Sequence, residues 1–220
     1  ALFIALQIMS NHVQMSYYFL FVILFIVGAY FEDAWRNKTL PKFFKASAVV
    51  FVAALIGVAA NLSNLYHTYT YSKETMRGKS ELVETGDAAK QTSSGLDRDY
   101  ITNWSYGIGE TWTLLVPNFK GGSSSAPLSQ SETAMEKANP VYSSLYNSFP
   151  QYFGDQPWTA GPVYVGSFVL FLFVLGCFIV KGPLKWALLG ATFFSIVLAW
   201  GKNFMPLTDF FIDYIPMYNK

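Results

Sequence analysis

Charged side chains are few in this chain, and those set beside aromatic residues are the ones whose types could do chemistry. Asp97-Arg98-Asp99 places two carboxylates and a guanidinium next to Tyr100. Asp99 has the chemistry to take a proton from a hydroxyl, and Arg98 the charge to hold a phosphate; a solvated loop turn is the competing reading. Glu110, between Gly109 and Thr111-Trp112, is a second candidate acid or base, or else an acid in the first turn of a helix, where the dipole favours it. Asp209 is the third. It stands one helical turn before Asp213, with Phe210, Phe211, Tyr214 and Ile215 around the rest of the turn, the pattern of an interfacial amphipathic helix with solvated acids on its polar face. Lys202, in Gly201-Lys202-Asn203, and Arg77, one turn after Lys73 on an expected helix, join Arg98 as candidate phosphate ligands. Snorkelling to head groups competes for Lys202, and an ordinary juxtamembrane cationic cluster for Arg77.

Neutral polar groups add two more sets. His12 and Gln14 stand at the end of an apolar segment, able to hydrogen-bond a sugar hydroxyl or lipid phosphate, or simply to satisfy backbone groups where the chain turns. Trp104, Tyr106 and Trp112, with Trp158, offer faces on which a sugar acceptor stacks, or anchors that seat an outer loop on the bilayer. No His, Cys, Asp and Glu set has metal-ligand spacing. No cofactor is evident, and a divalent metal is left open without a residue that demands it.

What must position these residues is a series of apolar segments. Four of them, over roughly 15–31, 46–60, 163–180 and 186–200, approach the ~20 residues a helix needs to cross a bilayer. Hydrophobic residues make up 52% of the chain and charged residues 13%, about half the charged share of a soluble domain. The expected class is an all-α membrane protein: a polytopic helical bundle with about four transmembrane helices and a large mixed extracytoplasmic loop. Net charge is +1, so nothing in the overall charge argues for nucleic acid, and the lipid bilayer is the evident partner. The lone Cys177 lies mid-segment and cannot form an internal disulfide. The chain opens without Met inside an apolar run, so we expect an internal fragment of a longer protein.

Orientation comes from short basic turns. Arg36, Lys38, Lys42 and Lys45 fall between the first two segments, and Lys181 and Lys185 between the last two; such loops stay in the cytoplasm. Residues 1–60 then hold the end of a preceding span and a transmembrane hairpin, 61–162 an extracytoplasmic region, 163–200 a second hairpin and 201–220 an outer interfacial helix. Within the long region, 61–84 and 131–137 read as helices, while Gly121-Gly122-Ser123-Ser124-Ser125-Ala126-Pro127 has linker composition.

The order of motifs along the chain carries a resemblance. His12-Val13-Gln14 opens a segment; Trp104-Ser105-Tyr106-Gly107 and Leu114-Leu115-Val116-Pro117-Asn118 through Gly121-Gly122 follow; Gly161-Pro162-Val163-Tyr164-Val165-Gly166 enters the third segment; Ala199-Trp200-Gly201-Lys202-Asn203 and Ile215-Pro216-Met217-Tyr218 close the chain. This resembles the YfhO family of bacterial polytopic membrane proteins, in its Bacteroides-type form. The resemblance implies a C-type (GT-C) glycosyltransferase fold. It also implies a polyprenyl-phosphate-linked sugar donor, a cell-envelope polymer or glycan acceptor, and reaction at the outer face of the cytoplasmic membrane. The family's usual catalytic carboxylate lies in a first outer loop near the N-terminus, outside this stretch. Two readings compete: a transporter or flippase for lipid-linked saccharide, which the lack of charge inside the segments disfavours, and a non-catalytic membrane assembly protein whose outer loop binds a partner.

Overall fold

A computed structural model describes residues 1–75, 96–159, 163–216 and 218. Among these the chain is mostly helical, with isolated β-bridges and no strand. The helices are α1 (Leu2–Met9), α2 (Val13–Arg36), α3 (Leu40–Ala59), α4 (Leu62–Ser72), α5 (Arg98–Thr102), α6 (Glu132–Glu136), α7 (Ser143–Tyr146), α8 (Ser167–Ile179), α9 (Pro183–Ala199) and α10 (Met205–Tyr214). The chain divides into two compact units, one drawn from residues 1–97 and 180–195, the other from 98–179 and 196–219.

The first unit is a set of apolar helices. Helices α2 and α3, 24 and 20 residues long, are long and apolar enough to cross a membrane. The turn between them occupies only residues 37–39. Lys38 adopts a left-handed φ of 56°. The N–H groups of Asn37, Lys38 and Thr39 donate to the Asp33, Trp35 and Ala34 carbonyls at 3.0, 3.1 and 2.8 Å, so the end of α2 is capped by its own turn. Pro41 suits the first turn of α3, where no N–H is missed. Helix α1 crosses α3 at Gly57, where a Cβ would lie 2.8 Å from the Ala1 carbonyl oxygen. Asn61 adds a hydrogen bond to the Ala5 carbonyl at 3.0 Å. Helix α2 meets α3 through Phe31 and Phe43, ring centroids 5.6 Å apart, and meets α9 through Phe21, Phe25 and Phe194.

Packing leaves most of this apolar surface uncovered. Only 6% of each membrane-length window on α2 and α3 is buried, and Val49, Val50 and Phe51 stand about two-thirds exposed. A contiguous apolar face of this size needs an apolar solvent. The two helices thus mark this as a membrane protein.

The later apolar segments take a form that hydropathy did not show. Gly166, at φ 94°, holds 163–166 out of helix. Helix α8 has 13 residues and α9 has 17, about 20 and 25 Å at 1.5 Å per residue. Each is shorter than the ~20 residues a straight span needs. Helices α9 and α10 reach span length only when joined across a bend of 112°. Among the described residues two helices therefore have full membrane length, or three if the bent pair counts as one span. The helix expected over 61–84 begins as α4, set off from α3 by a non-helical Asn61. The Lys73 ammonium lies 4.5 Å from the Tyr69 ring centroid on that helix. Residues 76–95, Arg77 included, lie outside the described part.

In the second unit the stretch of linker composition is paired chain. Phe153 and Gly122 donate to the Lys120 and Gln151 carbonyls at 2.9 and 3.0 Å, and Leu128 to Phe149 at 2.7 Å. Gly121 takes φ 84°, and the Gln151 carbonyl sits where its Cβ would be, so only glycine fits. Ser123 and Ser124 donate to the Thr159 carbonyl at 3.2 and 2.9 Å. Composition signalled flexibility; partners on the 149–159 segment removed it.

Candidate functional site

The second unit is organised around the break that ends α9. Gly201 adopts φ 47°, and a Cβ on it would strike the Ser105 hydroxyl. The chain turns here because only glycine combines that backbone with so close a neighbour. The turn exposes backbone groups that would be costly in apolar surroundings, and several are met from 102–111 and by Thr208. The Ala199 carbonyl accepts the Tyr106 N–H at 2.8 Å. The Lys202 N–H donates to Ser105 Oγ at 2.8 Å, and that hydroxyl donates to the Thr102 carbonyl at 2.6 Å. Asn203 Nδ2 donates to the Tyr106 carbonyl at 3.0 Å, and Trp200 Nε1 to Thr111 Oγ1 at 2.9 Å. Thr208, fully buried on α10, closes the turn by donating to the Gly201 carbonyl at 2.8 Å. Trp104-Ser105-Tyr106-Gly107 and Ala199-Trp200-Gly201-Lys202-Asn203 thus interlock.

Glu110 lies deeper in the same unit, only 3% exposed. It sits in a 3-10 turn, Gly109–Leu114. One carboxylate oxygen accepts the Gly107 N–H at 2.6 Å, and the other accepts the Tyr152 hydroxyl. Tyr152 Oη in turn accepts the Gln156 N–H at 3.0 Å. Burial, with the hydrogen bond to the Glu110 carboxylate, pushes the Tyr152 phenol well above its usual range. Gly154 lies against both groups with no room for a side chain. Glu110 therefore joins two segments through a buried carboxylate whose oxygens are both engaged.

Arg98 stands at the start of α5 and grips α10. One of its terminal nitrogens lies 2.5 Å from Asp209 Oδ1, and the other bonds Asp213 Oδ1. All three side chains remain more than a third exposed. The i, i+4 spacing that sets the two aspartates on one face is what lets a single guanidinium span both. Asp99, in the first turn of α5, is exposed.

The remaining candidates are distributed as follows. The Lys202 side chain is exposed at the turn, and among the described residues no carboxylate lies within ion-pair distance of it. Trp104 and Trp158 form an exposed edge-to-face pair, centroids 5.8 Å apart at 88°. Trp112 lies tilted against Phe119 at 6.5 Å, and the Tyr106 hydroxyl pairs with Thr113 Oγ1 at 3.0 Å. His12 and Gln14 belong to the first unit. His12 holds the N-cap position of α2 without a side-chain cap bond, and both side chains are exposed. Among the described residues no group of three or more His, Cys, Asp or Glu is placed to hold a metal.

Sequence reasoning passed over Ser105, Thr208, Tyr152 and Thr113, four of the residues that build the unit. The one available signal was glycine placed beside polar or aromatic residues, as in Ser105-Tyr106-Gly107 and Tyr152-Phe153-Gly154. The fold and these contacts define a mostly helical membrane protein whose candidate chemistry gathers around one polar turn. No family model matches the chain, and neither a curated protein nor a solved structure does.

Proposed function

We propose that this chain is part of a GT-C-type membrane glycosyltransferase resembling the YfhO family, with about four transmembrane segments and its larger loop outside the bacterial cytoplasmic membrane. The observation that carries the reading is the interlock of Trp104–Gly107 with Ala199–Asn203: two motifs of the resemblance, far apart in sequence, share one hydrogen-bonded turn. That turn presents the Lys202 ammonium, and the same unit presents the exposed Trp104 face. A cation and an aromatic face are what a phosphate-linked sugar requires.

In this reading an acceptor hydroxyl attacks the anomeric carbon of a polyprenyl-phosphate-linked sugar. The bond from that carbon to the phosphate oxygen breaks, the polyprenyl phosphate leaves with its electron pair, and a carboxylate takes the hydroxyl proton. Lys202 stabilises the departing phosphate; Trp104, Tyr106 and Trp112 border the acceptor. Glu110 and Asp209 have their carboxylates engaged by Tyr152 and Arg98; with Asp99 a weaker candidate, we follow the resemblance and assign the base to a carboxylate elsewhere in the protein. The same engagement favours a second reading, a non-catalytic assembly protein that uses this unit to hold a partner. The experiment is to supply the purified protein in vesicles with polyprenyl-phosphate-linked sugars and a cell-envelope glycan as acceptor. Release of polyprenyl phosphate supports transfer, and inert protein across donors supports the second reading.

A further inference from the structure

Two basic turns far apart in sequence lie at the same end of the first unit. The register of α2 against α9 requires it. Phe21 and Phe25 both meet Phe194, at 5.9 and 5.6 Å, and the Phe25 ring also packs against Gly190. As α2 advances its partner on α9 steps back, so the two helices run antiparallel. From Phe25 the chain climbs about 16 Å to Arg36, and from Gly190 it descends about 10 Å to Pro183, in the same direction. Lys38, Lys42 and Lys45 of the first turn therefore share an end with Lys181 and Lys185 of the second.

The charge at that end is strongly one-sided. Glu32 and Asp33 are the acids beside it, and Glu32 is matched by Arg36 at 2.5 Å. Five lysines then face one remaining acid. The opposite end of α2 has no Lys, Arg, Asp or Glu from residue 1 to residue 31. The lysines add nothing to the helices that carry them: Lys42 and Lys185 fall in first turns that hold no acid, where the helix dipole disfavours a cation. Aromatic side chains complete the pattern. Trp35, Phe44 and Trp186 are exposed at this end, and the Lys185 ammonium sits 4.6 Å from the Trp186 ring centroid. A ring of amphipathic aromatics with cations just beyond membrane-length helices is the arrangement that meets lipid head groups.

We propose that the 36–45 and 181–186 turns form one binding surface for anionic phospholipid head groups of the bilayer that α2 and α3 cross. The phosphates sit among Lys38, Lys42, Lys45, Lys181 and Lys185, with Trp35 and Trp186 beside them. This surface is independent of the transferase reading and stands or falls without it. The test is to purify the full-length protein in mild detergent and count retained phosphatidylglycerol and phosphatidylcholine by native mass spectrometry. Wild type retains phosphatidylglycerol selectively, and half-molar salt weakens it. Each neutralised lysine lowers its apparent affinity by about fivefold. Because the surface is shared, K181Q/K185Q alone lowers retention, as does K38Q/K42Q/K45Q alone, while K137Q, at an exposed lysine of the second unit, leaves it unchanged. Equal retention of both lipids by wild type overturns the proposal without need of any variant. So does loss confined to one turn's variant.

Discussion

The two units keep their shape by opposite means. In the first, helices meet through Phe31, Phe43 and Phe194 and through a close approach at Gly57, and their apolar faces are left to the membrane. In the second, whose own α-helices apart from α8 and α10 are five residues or shorter, a polar lattice of Ser105, Glu110, Thr113, Tyr152 and Thr208 does the holding, all of them nearly or fully buried. The comparison teaches where each unit tolerates change. A bilayer supplies the first with its solvent, so single side chains on its outer faces matter little. The second must satisfy every buried polar group internally, so one lost partner is costly and one extra methyl group is worse than neutral.

Breaking the lattice at its centre should have the largest effect. Glu110→Ala strands the Gly107 N–H and the Tyr152 hydroxyl, at a cost of about 3 kcal/mol, measured by denaturant unfolding in detergent or by proteolysis of the 96–159 region. If Glu110→Ala is as stable as wild type, the lattice is not what holds the unit. Gly201→Ala comes next. It forces a left-handed backbone on a residue with a Cβ and displaces Ser105, costing about 2 kcal/mol, with a matching loss of protection at Tyr106 in hydrogen exchange.

A pH scan sharpens the contrast. The Tyr152 phenol is raised in the folded chain above its usual value of 10.0. Its contribution is therefore complete below about pH 10 and is lost as pH rises beyond that. The second unit should loosen at alkaline pH, and Tyr152→Phe, less stable at neutral pH, should show a flatter alkaline decline. The smallest effect belongs to Arg98. Its pairs with Asp209 and Asp213 are substantially exposed, so Arg98→Gln should cost no more than about 1 kcal/mol, chiefly as faster exchange in α10.

These differences also explain what the sequence made legible. Helices α2 and α3 were readable because apolar runs of 15 or more residues, at 15–31 and 46–60, have few other uses at this density. The shortness of α8 was not, because Val163, Tyr164 and Val165 are as apolar as the helix, and only the left-handed Gly166 excludes them. The face shared by Asp209 and Asp213 followed from spacing. Their partner Arg98, 111 residues before Asp209, follows from tertiary structure alone. Glu110 shows the same limit. Its neighbours in sequence suggested a helix start, and its function in the fold depends on Tyr152, 42 residues away.

The central claim is that the polar turn at Gly201 presents Lys202 to the phosphate of a lipid-linked sugar. The most direct measurement is release of polyprenyl phosphate by the reconstituted full-length protein and by its Lys202→Gln variant. The account predicts release by wild type and a drop of at least tenfold in the variant, about 1.4 kcal/mol or more of lost stabilisation, with the fold intact because only the Lys202 N–H serves the lattice. Equal release by both proteins, or none from any donor, contradicts it.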